Sequence, residues 1–141
     1  MRALVIEDDK LYLIFVCKTL EKHGWQVDAA VNGRAALALM RERAFDLVIT
    51  DIFMPEQEGM ETIARIAAEF PDTQILAMSG GSSYPDFNVL EFARKLGADG
   101  CISKPFMPNA LMAHIAELAS ARRNARGRPR QPASRATFSN K

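Results

Sequence analysis

Short apolar runs alternate along the chain with longer stretches whose apolar residues recur every three or four positions. Ala3-Leu4-Val5-Ile6, Phe45-Asp46-Leu47-Val48-Ile49-Thr50, Thr73-Gln74-Ile75-Leu76-Ala77-Met78 and Asp99-Gly100-Cys101-Ile102-Ser103 have strand length, and Gly24-Trp25-Gln26-Val27-Asp28-Ala29 alternates. Such runs, bounded by Gly, Pro or Asp, suit parallel strands covered on both faces. Between them, Tyr12, Phe15, Val16, Thr19 and Leu20 share one helical face, stopped at His23-Gly24. Asn32 is an N-cap for a helix over Arg34–Arg43. A third helix is expected from Glu58 to Phe70 and a fourth from Asp86 to Leu96, ended by Gly97. A fifth follows Pro108-Asn109 and carries Leu111, Met112, Ile115 and Leu118 on one stripe.

Five strands alternating with five helices predict an α/β fold, a doubly wound parallel sheet with right-handed crossovers and helices on both faces. In such sheets the ligand site lies beyond the carboxyl ends of the strands. Glu7-Asp8-Asp9 follows the first strand, Asp51 the third, Ser79-Gly80-Gly81 the fourth and Lys104-Pro105 the fifth. Ala30-Val31-Asn32, after the second, carries no chemistry.

Composition narrows the class. Of 141 residues, 48% are hydrophobic and 25% charged, which excludes wholesale disorder. No apolar run approaches the ~18–20 residues that span a bilayer. The N-terminus turns acidic too early for a secretory signal, so a soluble, cytoplasmic protein is expected. Cys17 and Cys101 are too few for a disulfide scaffold and lack metal-ligand spacing. Charge is uneven: residues 1–121 hold all 17 acids and 11 bases, and residues 122–141 hold the other seven bases and no acid. The chain therefore divides into a folded domain over 1–121 and a basic, disordered tail over 122–141. That tail is too short for a DNA-binding helix-turn-helix module. Its contacts with nucleic acid would be weak and salt-dependent.

With strand order 2-1-3-4-5, Asp8, Asp9 and Asp51 converge at the switch point between the first and third strands. Three carboxylates repel unless a cation neutralises them, and hard oxygen ligands at an open rim favour Mg²⁺. Lys104 adds a point charge and Ser79 a hydroxyl donor. The set describes phosphoryl transfer onto a carboxylate, which needs an in-line nucleophile, a metal and positive charge for the equatorial oxygens. Asp51 is read as the nucleophile, and Asp8 and Asp9 as metal ligands. Each piece alone has a bland reading: a helix N-terminus, a turn acid, a flexible loop, a surface lysine. Their ordered appearance at successive strand ends carries the functional one.

Over residues 1–121 the chain resembles the receiver domain of two-component response regulators, a flavodoxin-like, CheY-like fold. The matching stretches are Val5-Ile6-Glu7-Asp8-Asp9, Asp46-Leu47-Val48-Ile49-Thr50-Asp51-Ile52-Phe53-Met54-Pro55 with Gly59, Ile75-Leu76-Ala77-Met78-Ser79-Gly80, and Gly97-Ala98-Asp99-Gly100-Cys101-Ile102-Ser103-Lys104-Pro105-Phe106. The resemblance implies the 2-1-3-4-5 sheet, Asp51 as phospho-acceptor, and Mg²⁺ held by Asp8, Asp9, Asp51 and the backbone carbonyl of Phe53. It further implies that Ser79 and Lys104 contact the phosphoryl group and that the Lys104–Pro105 bond is cis. The donor would be a sensor histidine kinase or histidine phosphotransfer protein. Output would pass to a downstream protein through the fourth helix, fifth strand and fifth helix, from a monomer or a phosphorylation-dependent dimer. On this reading the chain is a stand-alone receiver, not an enzyme beyond its own phosphorylation and dephosphorylation.

Two departures stand out. Cys101 occupies the position where the family usually carries a switch aromatic, and a thiol is too small to replace a ring. The interval from Ser79 to Lys104 is about three residues longer than the family's, with the excess placed in Gly80–Asp86 and read as a tolerated surface insertion. The alternatives are a pseudo-receiver that binds without being phosphorylated and a small Mg²⁺-dependent phosphohydrolase. The hydrolase reading is weakened by Phe53, where a second acid would be needed. A nucleotide-binding flavodoxin-like protein ranks last, since no glycine-rich phosphate loop follows the first strand.

Overall fold

The computed structural model describes residues 1–55, 58–80 and 88–124. Strands β1 (Arg2–Ile6), β2 (Gln26–Ala30), β3 (Leu47–Asp51), β4 (Gln74–Ser79) and β5 (Gly100–Ser103) alternate with helices α1 (Lys10–Lys22), α2 (Gly33–Glu42), α3 (Glu58–Glu69), α4 (Val89–Leu96) and α5 (Pro108–Asn124). The strands form one parallel sheet in the order β2-β1-β3-β4-β5.

Successive strand residues point to opposite faces, so a strand covered on both sides must be apolar throughout. Leu4, Ile6, Val48, Ile75 and Ala77 pack on one face with Ala36, Leu37 and Met40 of α2, Ile63 and Ile66 of α3, and Ala93 and Leu96 of α4. Ala3, Val5, Leu47, Ile49, Leu76, Met78 and Ile102 pack on the other with Leu13, Val16 and Leu20 of α1 and Leu111, Ile115 and Leu118 of α5. The sheet is thus a partition between two cores, with its edge strands β2 and β5 partly exposed.

Element ends depart from the sequence reading where local hydrogen bonds decide. β2 starts at Gln26 because the chain spends Gly24 and Trp25 closing α1: their N–H groups donate to Glu21 and Leu20 carbonyls, with Gly24 at φ +89°. A left-handed turn of that kind suits a residue without Cβ. α4 begins at Val89, where Asn88 Oδ1 caps the Glu91 N–H at 3.0 Å. The expected start at Asp86 and most of the Gly80–Asp86 loop lie outside the described residues. α5 continues to Asn124, three residues past the expected boundary at Ala121, and the rest of the basic stretch also lies outside them.

Gly59, in the first turn of α3, sets how that helix meets the end of β3. A Cβ there would lie 2.5 Å from the Asp51 carbonyl oxygen and 2.6 Å from that of Ile52. Neither backbone group can yield easily, so Gly59→Ala is expected to lower the unfolding free energy by about 1–3 kcal/mol. Urea denaturation checks this, and an unchanged midpoint would show that α3 does not seat there.

Candidate functional site

The carboxyl ends of β1, β3, β4 and β5 open onto one rim, and the chain reverses its direction of sheet growth between β1 and β3. Glu7 leaves β1 with its N–H still bonded to the Ala30 carbonyl at 3.1 Å, which holds it in line with the strand. Asp51 is the last residue of β3, and the next N–H, of Ile52, donates to the Met78 carbonyl at 2.8 Å. Glu7 is 1% exposed and Asp51 7%, whereas Asp8 faces solvent. One carboxylate oxygen from each of these three residues lies within 4.8 Å of the others.

The counter-charge comes from the far side of the sheet. Lys104, just past β5, pairs through Nζ with Glu7 Oε1 and, at 2.9 Å, with Asp51 Oδ2. Its backbone N–H donates to the Ser79 carbonyl at 2.7 Å, which fixes the lysine to the end of β4, and the Lys104–Pro105 bond is cis. The Phe53 N–H donates to Asp51 Oδ1 at 3.2 Å, so both carboxylate oxygens of Asp51 are engaged. Ser79 is buried, with its Oγ 3.9 Å from the Cys101 sulfur, which donates to it.

Burial pushes the Glu7 carboxyl above its ordinary value of 4.5, and the Asp51 charge adds to this. The Lys104 ion pair and the Asp9 N–H only partly offset it. Burial pulls the Lys104 ammonium down, but its hydrogen bonds and charge pairs with Glu7 and Asp51 together hold it above 10.5. Burial raises the Cys101 thiol as well, so it stays protonated near neutrality.

Asp9 is not part of the acidic cluster, and here the sequence reading is corrected. Its Oδ1 accepts the N–H groups of Leu11 (3.0 Å) and Tyr12 (3.3 Å), which makes it the N-cap of α1. Glu7 takes the place expected of it. The missed signal was positional: Asp9 directly precedes the first helical residue, where Asp is a favoured cap, and Glu7 directly follows the buried run of β1. Asp8, Asp51, Ser79 and Lys104 all reach the rim as expected. Three hard oxygen donors of charge −3 facing one ammonium suit a divalent cation of the Mg²⁺ type.

The sequence pattern of the response regulator receiver domain matches residues 3–116. The chain belongs to that family. It is 34% identical over 120 residues to the response regulator receiver protein CpdR of Brucella abortus, covering 83% of this chain and 95% of that protein. It is 38% identical over 122 residues to the virulence sensor protein BvgS of Bordetella pertussis, where the chain spans only 10% of the relative's length. A solved CheY-like receiver domain from Methanospirillum hungatei superposes with a TM-score of 0.76 at 28% identity, covering 87% of this chain and 97% of that one. Among the described residues of this receiver, no helix is long and apolar enough to cross a membrane.

Two outcomes follow from the geometry. Asp9→Asn keeps a capping oxygen outside the acidic cluster, so Mg²⁺ affinity by titration calorimetry is expected to fall less than about threefold, against more than about tenfold for Asp8→Asn, which removes a charge from the cluster. Equal losses would return Asp9 to the metal site. The second concerns pH. A carboxyl raised in the folded state favours the fold below its unfolded value, and that favour is lost as pH rises through the folded value. The same proton competes with a cation, so Mg²⁺ affinity should begin to fall while pH is still above 4.5, as it is lowered from neutrality. An affinity that reaches half its neutral-pH value only at pH 4.5 or below would show that Glu7 ionises like a free carboxylate. Lys104 has the opposite charge sense: its favourable contribution is present at neutral pH and is lost only as pH rises through a value above 10.5.

Proposed function

We propose that this receiver takes a phosphoryl group onto Asp51 from a phosphohistidine of a sensor kinase or phosphotransfer protein and uses it to switch protein–protein contacts. Receiver domains pair with histidine kinases. The observation that carries the reading is the placement of Lys104, whose Nζ lies 2.9 Å from Asp51 Oδ2 at an acidic, solvent-reached rim.

In the transfer, an oxygen of the Asp51 carboxylate attacks phosphorus as the phosphorus–nitrogen bond breaks, and the donor imidazole leaves with the electron pair. Glu7, Asp8, Asp51 and the Phe53 carbonyl would hold Mg²⁺, which supplies charge neutralisation for phosphoryl oxygens. Lys104 offers the same oxygens its ammonium, and the Ser79 hydroxyl can donate to them. Family enzymes in the strict sense are not implied, since the chain would act only on itself.

Phosphorylation converts the carboxylate to an acyl phosphate, a group carrying more charge and more acceptors. Ser79 and Lys104 are bonded through the Lys104 N–H, so a shift of either moves the loops after β4 and β5 together. That motion would bias a pre-existing equilibrium on the side formed by α4, β5 and α5. Cys101, half-buried against the core under α4, cannot fill the space a ring would, so Ser79 movement is read there through packing of a small side chain.

Intact mass after incubation with Mg²⁺ and a small acyl-phosphate donor tests the reading. Wild type is expected to gain one phosphoryl group and lose the gain with EDTA, whereas Asp51→Asn gains none. Gain on Asp51→Asn would relocate the acceptor. No gain in wild type from either an acyl phosphate or a phosphorylated kinase would favour a receiver that binds partners without phosphorylation.

A further inference from the structure

Lys104 has a third neighbour that takes no part in the acidic cluster. Its Nζ lies 4.5 Å from the centroid of the Tyr12 ring. Tyr12 sits in the first turn of α1, and its hydroxyl accepts the backbone N–H of Phe106, two residues past Lys104, at 3.4 Å. The ring stands edge-on to Phe15 (5.5 Å, 77°) and to Phe106 (5.5 Å, 83°), and Phe15 and Phe106 lie 5.9 Å apart. Edge-to-face rings prefer this geometry, so the tyrosine is held in place on both sides. One residue of α1 thus touches the lysine itself and the loop that carries it.

The three contacts of the ammonium differ in what phosphorylation does to them. Asp51 is the group that would become an acyl phosphate, and Glu7 is one that a divalent cation would draw on. The Tyr12 ring has no formal charge to be consumed, and its π face attracts an ammonium through the ring quadrupole. A lysine on a flexible four-carbon stem needs such a support to present its charge in one place. We propose that Tyr12 is a positioning residue for Lys104, holding the ammonium at the rim as its carboxylate partners are taken up by phosphoryl group and metal. The proposal rests on the reading of Asp51 as phosphoryl acceptor.

The test measures the rate of mass gain from Mg²⁺ and a small acyl phosphate in wild type, Tyr12→Phe, Tyr12→Leu, Lys104→Met and the double variant Tyr12→Leu with Lys104→Met. Tyr12→Leu is expected to slow uptake about five- to tenfold, in the range a partly buried cation–π contact can supply, while Tyr12→Phe keeps the ring and stays within about twofold. In the Lys104→Met background, Tyr12→Leu should change nothing further, because its route to the reaction is gone. A merely structural tyrosine would slow both backgrounds alike, and that result overturns the proposal. So does uptake by Tyr12→Leu at the wild-type rate, or a loss in Tyr12→Phe as large as in Tyr12→Leu. The ring-current shift of the Lys104 ε-methylene NMR signals gives a second reading in the unphosphorylated protein. It should be present in wild type and Tyr12→Phe and absent in Tyr12→Leu, and its absence from wild type also overturns the proposal. A wild type that gains no phosphoryl group from either an acyl phosphate or a phosphorylated kinase refutes the acceptor reading and the role of Tyr12 in uptake with it, whereas normal uptake in Tyr12→Leu refutes the role of Tyr12 alone.

Discussion

Crowding of like charge at the carboxyl rim of the sheet is the constraint around which the rest is arranged. Two unit charges at 4–5 Å repel by about 3–4 kcal/mol at an effective dielectric constant of 20, and burial strengthens the effect. Glu7 and Asp51 are both almost fully buried there, with Asp8 beside them. A fold could relieve that repulsion by turning the side chains outward. Here it keeps them inward and sets Lys104 between two of them. Such an arrangement is poor economy for stability, because a buried ion cluster seldom repays its desolvation. It is well suited to a site that accepts a divalent cation, which completes the balance that the lysine begins.

The sheet makes the arrangement possible by dividing labour along its strands. β1, β3 and β4 are buried along almost their whole length, the edge strands β2 and β5 only in part, and two separate cores clamp the sheet. The site groups lie at the strand ends, Asp51 and Ser79 as the last residues of β3 and β4 and Glu7 and Lys104 just past β1 and β5, where the backbone ladder still dictates position. Glu7, Ile52, Asp99 and Lys104 all keep a backbone bond to the neighbouring strand after their own strand ends or before it begins. The rim therefore inherits the rigidity of the sheet. Gly59 extends this rigidity to α3 by letting helix and strand end touch backbone to backbone.

Coupling across the rim runs through short links. Lys104 is tied to Ser79 through the backbone, to Glu7 and Asp51 through charge, and to α1 through the Tyr12 ring. Ser79 in turn meets Cys101, which packs toward α4. These contacts link Asp51 to both faces of the sheet. On the α4 side the contact is a small thiol, and on the α1 side it is a group of three rings.

The alternation of strand and helix patterns was enough to predict the α/β class, the two covered faces and the rim at which Asp8, Asp51, Ser79 and Lys104 meet. Those inferences depend on periodicity and on which residue follows a strand, both of which are local properties of the chain. Element ends were less legible, because β2 and α4 begin where Gly24, Trp25 and Asn88 find partners. The tertiary structure made the choice between the three consecutive acids plain. Glu7, Asp8 and Asp9 are neighbours of similar chemistry, but the last ladder bond of β1 turns Glu7 inward, while the unpaired N–H groups of α1 claim Asp9 as a cap. The tertiary structure also brought Tyr12 to Lys104, 92 positions apart in sequence. No local pattern encodes a contact between the first turn of one helix and a loop after the fifth strand: it exists only once parallel strands have placed both at the same end of the sheet.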